Sequence, residues 1–400
     1  MTAPPLGWRS GNRYTLLENG EAYFPAVHAA VEAARREVLI ETFILFDDKV
    51  GQALQQTLIA AAARGVSVDL LLDGYGSDGL PPAFLAALTG AGVRVHLFDP
   101  RPRLLGVRTN VFRRMHRKIV AVDGACAFIG GINFSADHLP DYGPEAKQDY
   151  ALRVEGPLAA DMADYARAAL NATRPHRLRR ARVEPTPGDD GGGRLVVRDN
   201  LGHPTDIERY YRAGLRSARQ DVLIANAYFF PGYRLLRDLA NAARRGVRVR
   251  LLLQGEPDML VAQLAASMLY DYLIDAGVQI FEYCKRPLHA KVACVDDDWS
   301  TVGSSNLDPL SLALNLEANV VARDTGLNAA LRASLERLIA EDCRPVQRGP
   351  ASRRRLRRLW VGVVVFHFLR RFPAWAGALP AHKPRLRTII DGSPGEGEAA

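Results

Sequence analysis

The chain has 400 residues, enough for two ordinary domains or one large two-lobed unit. Hydrophobic residues make up 48% and charged residues 24%, which excludes a disordered chain and is typical of a protein with a core. A net charge of +8 suggests an anionic partner such as nucleic acid or a membrane surface. No run approaches the roughly 20 apolar residues of a transmembrane helix. The four cysteines show neither a disulfide pattern nor a zinc pattern.

Strands and helices are predicted to alternate along the first hundred residues. The predicted strands are 13–17, 38–43, 66–72 and 93–98, with a turn at Asn19-Gly20 after the first. The predicted helices are 21–36, 50–64 and 82–89. This alternation is typical of βαβ units, and it predicts an α/β fold whose mainly parallel sheet is covered by helices on both faces.

The second half of the chain repeats this plan. Residues 61–74 align with residues 242–255 and match at 10 of 14 positions. A period of 173 to 185 residues is too long for a solenoid and indicates a duplicated domain. We therefore expect two similar lobes related by a pseudo-twofold axis. The expected division is a first lobe at 1–172, an Arg/Pro/Gly linker at 173–193, a second lobe at 194–348 and a basic, apolar tail at 349–400.

A His-x-Lys-x4-Asp motif occurs once in each half. The first copy is His116, Lys118 and Asp123, and the second is His289, Lys291 and Asp296. Each continues through a glycine to an asparagine 17 residues after the histidine. These asparagines are Asn133 and Asn306. One copy would fit a core strand that happens to carry His and Lys, but the repeated spacing favours a functional pair.

The local pattern assigns a face to each motif residue. If the motif is a strand, His116 and Lys118 point to the same side of it. Asp123 and Asp296 complete the catalytic motif, although an aspartate that opens a hairpin turn is more often a turn-stabilising residue. The expected turn is Asp123-Gly124, between strands at 120–122 and 126–128.

Histidine and lysine at a strand end suit phosphate chemistry. A neutral imidazole can attack phosphorus, and a lysine ammonium can neutralise the non-bridging oxygens. Two facing sets supply a nucleophile and a general acid. The glycines let backbone approach an anion, and Asn133 and Asn306 can donate hydrogen bonds to it.

The doubled, extended motif resembles that of the phospholipase D superfamily, and the resemblance covers residues 10–345. It implies two similar α/β/α sandwich lobes with one shared active site at their interface. It also implies a phosphodiesterase or transferase that works through a phosphohistidine with no metal or cofactor. By the same resemblance Asp149 and Glu317 orient the histidines, His116 is the nucleophile and His289 the acid. Gly131 stands where many members have the serine that Ser304 retains, which predicts unequal phosphate contacts.

Two segments favour a phospholipid substrate. The first is an insertion before His116 in which arginines alternate with apolar residues, including Arg101, Leu104 and Phe112; a solvated loop is an equally good interpretation. The second is the tail, where 11 mostly apolar residues are flanked by arginines and tryptophans. This layout suits a segment in the membrane interface, with a helix packed on the protein body as the alternative. Its predicted membrane contacts are Arg353, Arg354, Arg355, Trp360, Arg370, Arg371 and Trp375.

Further stretches resemble the bacterial cardiolipin synthases. They include residues 109–118, 142–150, 225–233 and 307–319. The resemblance implies transfer of a phosphatidyl group from one phosphatidylglycerol to another, with release of glycerol. It also implies a peripheral protein on the cytoplasmic face of the cell membrane, whose partners are phosphatidylglycerol and the anionic membrane surface.

Other functions stay open at the level of the sequence. Within the same chemistry these are hydrolysis to phosphatidic acid and transfer to another alcohol. A nuclease of the superfamily would suit the basic charge, but the lobes lack a basic-aromatic stripe, so no nucleic acid partner is expected. An inactive membrane-binding scaffold is disfavoured because both motifs are intact. Since the duplication can complete the site within one chain, no obligate protein partner is expected.

Overall fold

The computed structural model describes residues 6–100, 113–170, 191–200, 202–255, 269–347 and 386–389. It contains two eight-stranded sheets, one in each lobe. The strands of the first sheet are β1 (Arg13–Glu18), β2 (Glu37–Thr42), β3 (Ser67–Asp73), β4 (Arg94–Phe98), β5 (Ile119–Val122), β6 (Cys126–Gly130), β7 (Tyr150–Glu155) and β16 (Leu386–Ile389). Those of the second are β8 (Gly192–Arg198), β9 (Asp221–Asn226), β10 (Arg248–Gln254), β11 (Gln279–Tyr283), β12 (Lys291–Val295), β13 (Trp299–Gly303), β14 (Glu317–Arg323) and β15 (Cys343–Pro345).

The two sheets have the same topology. The strand orders are β1-β7-β6-β5-β2-β3-β4-β16 and β8-β14-β13-β12-β9-β10-β11-β15, so each strand has a counterpart at the same place in the other sheet. The predicted duplication and the α/β fold are therefore confirmed.

The prediction of mainly parallel sheets is wrong. In the first sheet β2, β3 and β4 form two parallel pairs, and the other five pairs are antiparallel. The second sheet has the same proportion. The tight hairpin after β5, where Asp123 and Gly124 both have positive φ, accounts for one of these antiparallel pairs, because so short a turn joins antiparallel strands.

Helices cover both faces of each sheet. The helices whose two ends both lie in the described residues are α1 (Asn19–Glu32), α2 (Lys49–Ala63), α3 (Pro82–Gly90), α4 (Pro157–Leu170), α5 (Asp206–Ser217), α6 (Tyr233–Arg244), α7 (Pro309–Ala313) and α8 (Thr325–Asp342). The helix α2 shows why they form where they do. The Asp48 carboxylate caps its first turn by accepting from the N–H groups of Val50 and Gly51, and its buried residues Leu54, Leu58 and Ala61 share one face.

The lobes share one apolar core. It contains Leu158 and Met162 of α4, Leu331 and Leu335 of α8, and inward-facing residues of both sheets, such as Leu39. Thus α4 and α8 lie between the sheets, while α1 to α3 and the pair α5 and α6 cover separate outer cores. Because burial of apolar surface is the main stabilising force, a continuous core fixes one lobe against the other.

Several predicted boundaries differ from the structure. The turn predicted at Asn19-Gly20 is the start of α1, and His116 and Lys118 precede β5 instead of lying within a strand. The segment before Ile119 leaves the first sheet because Met115 pairs with Leu316 of the other lobe. Secondary structure also reaches into two regions expected to lie outside the lobes, since β8 begins at Gly192 and β16 joins the first sheet.

The division into lobes, linker and tail stays a prediction. The predicted membrane contacts between Arg353 and Trp375 and most of the arginine-rich insertion lie outside the described residues. Within the described ranges, no helix has both the length and the apolar character needed to cross a bilayer.

Candidate active site

Backbone pairing between the lobes places the two histidines. Met115 pairs with Leu316 in a parallel bridge, and the His116 N–H donates to the Leu316 carbonyl at 2.9 Å. Gln148 pairs with Leu288 in the same way, and the His289 N–H donates to the Gln148 carbonyl at 2.8 Å. Each histidine segment is therefore aligned with the segment of the opposite lobe that leads into an acidic residue.

Each histidine is paired with the carboxylate of the other lobe. The distance from His116 Nδ1 to Glu317 Oε2 is 3.0 Å, and that from His289 Nδ1 to Asp149 Oδ2 is 2.6 Å. Both carboxylates are completely buried, whereas 12% of the His116 side chain and 16% of the His289 side chain are exposed. An Nδ1–H donated to a carboxylate leaves Nε2 unprotonated and accessible.

The lysines of the motif lie beside the histidines. Lys118 Nζ donates to the His116 carbonyl at 2.9 Å, and Lys291 Nζ donates to the His289 carbonyl. Burial lowers the pKa of Lys118 to about 7 and that of Lys291 to about 8. An anion that entered the site would raise both pKa values by favouring the ammonium form.

The two histidine–carboxylate pairs differ in their electrostatics. Burial lowers the pKa of His116 to about 4 and that of His289 well below its usual value, so both imidazoles are neutral. Burial also raises the pKa of Asp149 to about 6. At Glu317 burial acts in the same direction but is outweighed by His116, Lys118 and a serine hydroxyl, so the pKa falls. Glu317 is thus the more firmly ionised carboxylate.

Gly131 and Ser304 explain part of this difference. The Ser304 hydroxyl donates to Glu317 Oε2 at 2.5 Å. At the equivalent Gly131, a Cβ atom would lie 2.4 Å from Asp149 Oδ1, closer than real Cβ contacts allow. The two carboxylates therefore have unequal surroundings, and Ser304 is completely buried against Glu317. The predicted inequality of the phosphate contacts stays a prediction.

The asparagines and several unsatisfied polar atoms border the same site. Asn133 Oδ1 accepts from the Ile44 N–H at 3.3 Å, and its own N–H donates to His138 Nε2 at 3.2 Å. Within the described part of the chain, buried atoms without a hydrogen-bond partner include Asn306 Oδ1, Glu317 Oε1 and His138 Nδ1. Buried polar groups are normally paired, so these three atoms have hydrogen-bonding capacity left for a polar ligand or water.

Asp123 and Asp296 are not brought to the histidines. The Asp123 carboxylate accepts from the N–H groups of residues 35–37 at 2.8 to 2.9 Å. Asp296 accepts from residues 219–221 in the equivalent way, at 2.8 to 3.2 Å. Asp123 has a φ of 54° and Asp296 one of 47°, which places both in turns. Each carboxylate ties its hairpin to the loop before β2 or β9, as the turn interpretation predicts.

Two aromatic side chains of the site, those of Phe43 and Tyr75, were not predicted, whereas Arg114 belongs to the arginine-rich insertion noted in the sequence. The Phe43 ring packs against the His116 ring with centroids 4.9 Å apart, and Lys118 Nζ lies 5.3 Å from the Phe43 centroid. The Arg114 guanidinium lies 4.0 Å from the Tyr75 ring centroid. The sequence signal that could have identified Phe43 is its position directly after β2, because the residues of the site lie at strand ends.

A third histidine, His138, was also missed. Its ring centroid is 5.7 Å from that of His289, in an edge-to-face arrangement, and the side chain is completely buried. Burial lowers the pKa of His138 to about 3. Ligand atoms of His138, Asp149 and His289 lie within 4.8 Å of one another, a spacing that could hold a metal ion. The nearby ammonium groups of Lys118, Lys147 and Lys291 also lower the pKa of His289, and the same charges favour an anion over a cation here.

The fold and this site define a two-lobed protein of the phospholipase D class. A family model described as "Cardiolipin synthase, PLD-like domain" matches residues 27–169 and 211–339. The chain belongs to the cardiolipin synthase family of phospholipase D-like proteins. The resemblance predicted from the sequence is therefore confirmed.

Individual relatives agree with this assignment. The chain is 54% identical to cardiolipin synthase B of Escherichia coli strain K12 over 387 residues, 96% of this chain and 94% of that protein. It is 37% identical to cardiolipin synthase A of Pseudomonas aeruginosa strain LESB58 over 365 residues, which are 90% and 72% of the two chains. The structure of phosphatidylserine synthase from Haemophilus influenzae Rd KW20 is similar with a TM-score of 0.66, 13% identity and coverage of 94% and 96%, which shows a shared fold.

Proposed function

We propose that this protein synthesises cardiolipin by moving a phosphatidyl group from one phosphatidylglycerol to another. The observation that carries the proposal is the crossed pairing of His116 with Glu317 and of His289 with Asp149 beside two buried lysines. Such a site holds two reactive imidazoles and cationic groups for a phosphodiester. The names of the relatives, cardiolipin synthases B and A, support phospholipid biosynthesis as the process.

The first half-reaction forms a covalent intermediate. Nε2 of His116 attacks the donor phosphorus, and a P–N bond forms as the P–O bond to the glycerol headgroup breaks. His289, protonated when the anionic substrate binds, gives its Nε2 proton to the departing oxygen. Glycerol leaves, and the phosphatidyl group stays on His116.

The second half-reaction uses the same groups in reverse. Nε2 of His289 takes the proton from a hydroxyl of the second phosphatidylglycerol, whose oxygen attacks the phosphorus. The P–N bond breaks, the electron pair returns to His116, and cardiolipin forms. Lys118, Lys291 and the site asparagines hold the non-bridging oxygens, and no metal or other cofactor takes part.

The unequal carboxylates support the assignment of roles. A phosphohistidine carries positive charge on its ring, and the firmly ionised Glu317 stabilises that charge at His116. Asp149 has a raised pKa, so the Asp149–His289 pair takes up and releases a proton more readily. These differences favour His116 as nucleophile and His289 as acid and base.

The proposed setting is the cytoplasmic face of the cell membrane, with the protein bound peripherally. A net charge of +8 favours an anionic surface, and phosphatidylglycerol is an anionic lipid. The arginine- and tryptophan-rich tail from Arg353 to Trp375 is the proposed additional contact.

Incubation with phosphatidylglycerol vesicles and mass spectrometry of the lipids tests the proposal. We expect cardiolipin and glycerol from the unsubstituted protein and a loss of at least about 10³-fold from His116→Ala. For His289→Ala we expect a phosphatidyl adduct on His116 after denaturation at neutral pH, because acid would cleave the P–N bond, when a donor with a good leaving group is supplied. Phosphatidic acid as the sole product would make the protein a hydrolase, and near-normal turnover by His116→Ala would refute the mechanism.

A further inference from the structure

The exposed large hydrophobic side chains of the described residues are concentrated on the loops that build the site. Six such side chains are exposed, and five of them, between 42% and 53% exposed, lie on these loops. They are Phe46, Tyr142, Tyr228, Tyr233 and Leu310. Isolated exposed hydrophobic residues need no explanation, but several together around a site indicate an interaction surface.

In the first lobe two neighbouring loops carry these side chains. Phe46 lies between β2 and α2, on the loop whose Phe43 packs against His116. Tyr142 lies between β6 and β7, on the loop that also contains Asn133. The loops are held together because Asp48 Oδ2 accepts from the Ala136 N–H at 2.7 Å. Lys49 also forms an ion pair with Asp141, next to Tyr142.

The second lobe repeats the arrangement. Tyr228 and Tyr233 lie between β9 and the first turn of α6, and Leu310 lies in α7, between β13 and β14. These loops are also joined, since the Phe230 N–H donates to the Leu307 carbonyl at 2.8 Å. The Leu307 N–H in turn donates to Asn226 Oδ1 at 3.1 Å.

The equivalence of the loops sets where these residues lie. The loop after β2 corresponds to that after β9, and the loop after β6 to that after β13, because the paired strands occupy equivalent places in the two sheets. The pseudo-twofold relation therefore puts exposed apolar side chains on both sides of the shared site. They lie at the strand ends where the His116 and His289 side chains are partly exposed.

We propose that these five side chains form a docking face for the surface of a phospholipid bilayer. The proposal rests on the proposed function, because an enzyme that acts on a membrane lipid must bring its histidines to the headgroup layer. Tyrosine and other aromatic residues favour that layer. Two exposed arginines of α6, Arg234 and Arg237, can meet anionic headgroups there, and the Arg237 guanidinium lies 5.9 Å from the Tyr233 ring centroid.

The first test compares vesicle binding with catalysis. The triple variant Phe46→Ser, Tyr228→Ser, Leu310→Ser should bind phosphatidylglycerol vesicles at least about tenfold more weakly in sedimentation. The reason is that it lacks three apolar side chains that become partly buried in the bilayer when the protein binds. Cardiolipin formation on vesicles should fall by a similar factor. Turnover of dihexanoyl phosphatidylglycerol, dissolved as monomers, should stay unchanged, which also shows that the variant is folded.

A second test locates the membrane directly. Phe46→Trp and Leu310→Trp should each gain fluorescence quenching by brominated phosphatidylglycerol relative to the unsubstituted protein. The control is Ala125→Trp, because Ala125 is exposed in the β5–β6 hairpin turn at the opposite end of the sheet. It should gain none.

Three outcomes overturn the docking face. They are equal quenching at residues 46 and 125, unchanged vesicle binding by the triple variant, and an equal loss of turnover on monomeric and vesicle substrate. Failure of the proposed function is distinguishable, because the unsubstituted protein would then make no cardiolipin from either substrate while vesicle binding could still be measured.

Discussion

Differences of one or two heavy atoms between equivalent residues make the two halves of the site unequal. The Ser304 hydroxyl donates a hydrogen bond to Glu317. At Gly131, by contrast, the Asp149 carboxylate occupies the space that a side chain would need. Asp149 is also one methylene shorter than Glu317, so it approaches the backbone of residue 131 directly. The Glu317 carboxylate is therefore held by a serine hydroxyl, whereas the Asp149 carboxylate accepts from the Tyr150 N–H at 2.8 Å and packs closely against residue 131.

Gly131→Ala should reduce turnover more than Ser304→Ala does. The added methyl group must displace Asp149, and with it the His289 ring, so we expect a loss of about 10²-fold in kcat. Ser304→Ala removes one hydrogen bond to a charged group, for which about tenfold is expected. Steady-state assays on phosphatidylglycerol measure both, and equal activities of Gly131→Ala and the unsubstituted protein would contradict the proposed role of Asp149.

The buried lysines predict how stability depends on pH. Their pKa values of about 7 and about 8 lie below the value of about 10.4 of an unfolded lysine. Between about pH 7 and pH 10 these two lysines bind more protons in the unfolded chain than in the folded protein, so their contribution to the free energy of unfolding rises with pH. Urea unfolding at several pH values should show a smaller rise in Lys118→Met and Lys291→Met.

The control for the pH experiment is an exposed lysine. Lys285 lies on the surface, with 59% of its side chain exposed, and Lys285→Met should leave the pH dependence unchanged. If Lys118→Met and Lys291→Met also leave it unchanged, the lysines are not deprotonated more easily in the folded protein.

At the scale of elements, a buried ion pair fixes the segment that carries the first motif. Arg117 Nε donates to Glu41 Oε2 at 2.6 Å, and both side chains are buried. Glu41 lies in β2, so this contact attaches the irregular residues before β5 to the central strand of the first sheet. Met115 is held from another side, since its N–H donates to Asp73 Oδ2 at 2.8 Å.

Arg117→Met should destabilise the protein strongly. Removal of one partner leaves Glu41 as a buried, unpaired charge, for which a loss of about 3–5 kcal/mol is expected in the free energy of unfolding. The double variant Arg117→Met, Glu41→Leu should regain most of it. As a matched control, Arg13→Met breaks the exposed pair with Glu155 and should cost less than about 1 kcal/mol in urea unfolding. Equal losses for the two arginines would argue against a buried ion pair.

The elements were predicted well where hydrophobic periodicity was strong. The structure has α2 at Lys49–Ala63 and β3 at Ser67–Asp73, each within about a residue or two of the predicted ends. The segment around His116 was misplaced because Met115 pairs with Leu316, about 200 residues away, and local periodicity carries no signal for such a contact. The short strand β16 was missed for the same reason, since its partner is β4.

At the scale of the whole molecule, the histidine–carboxylate pairs cross between the lobes. The motif repeat and the family resemblance were enough to predict a shared site and to identify Asp149 and Glu317. Which carboxylate pairs with which histidine was not predictable from the residues, because the order of histidine motif and acidic residue is the same in both lobes. The core that α4 and α8 share was also not predictable. Each helix has an apolar face in the sequence, but that face does not show which sheet or lobe it packs against.

Two inactive variants should not complement each other. Each site needs His116, Glu317, His289 and Asp149 from one continuous, jointly packed chain. An equimolar mixture of His116→Ala and His289→Ala, whether mixed after purification or co-expressed, should therefore form no cardiolipin above the level of either alone. Recovery of up to a quarter of the normal activity would instead indicate that chains exchange lobes.

The crossed pairing also has a consequence for how such a chain could arise by gene duplication. In an ancestor with one motif, the histidine and the carboxylate of one copy would each need a partner from a second copy to form the crossed pairs seen here. Activity would then have required a symmetric dimer, in which each copy lends its acid to the other. In that dimer every substitution appears twice, so the differences between Gly131 and Ser304 and between Asp149 and Glu317 could accumulate independently only after fusion. Fusion is thus the step that would allow the two histidine–carboxylate pairs to become different from each other.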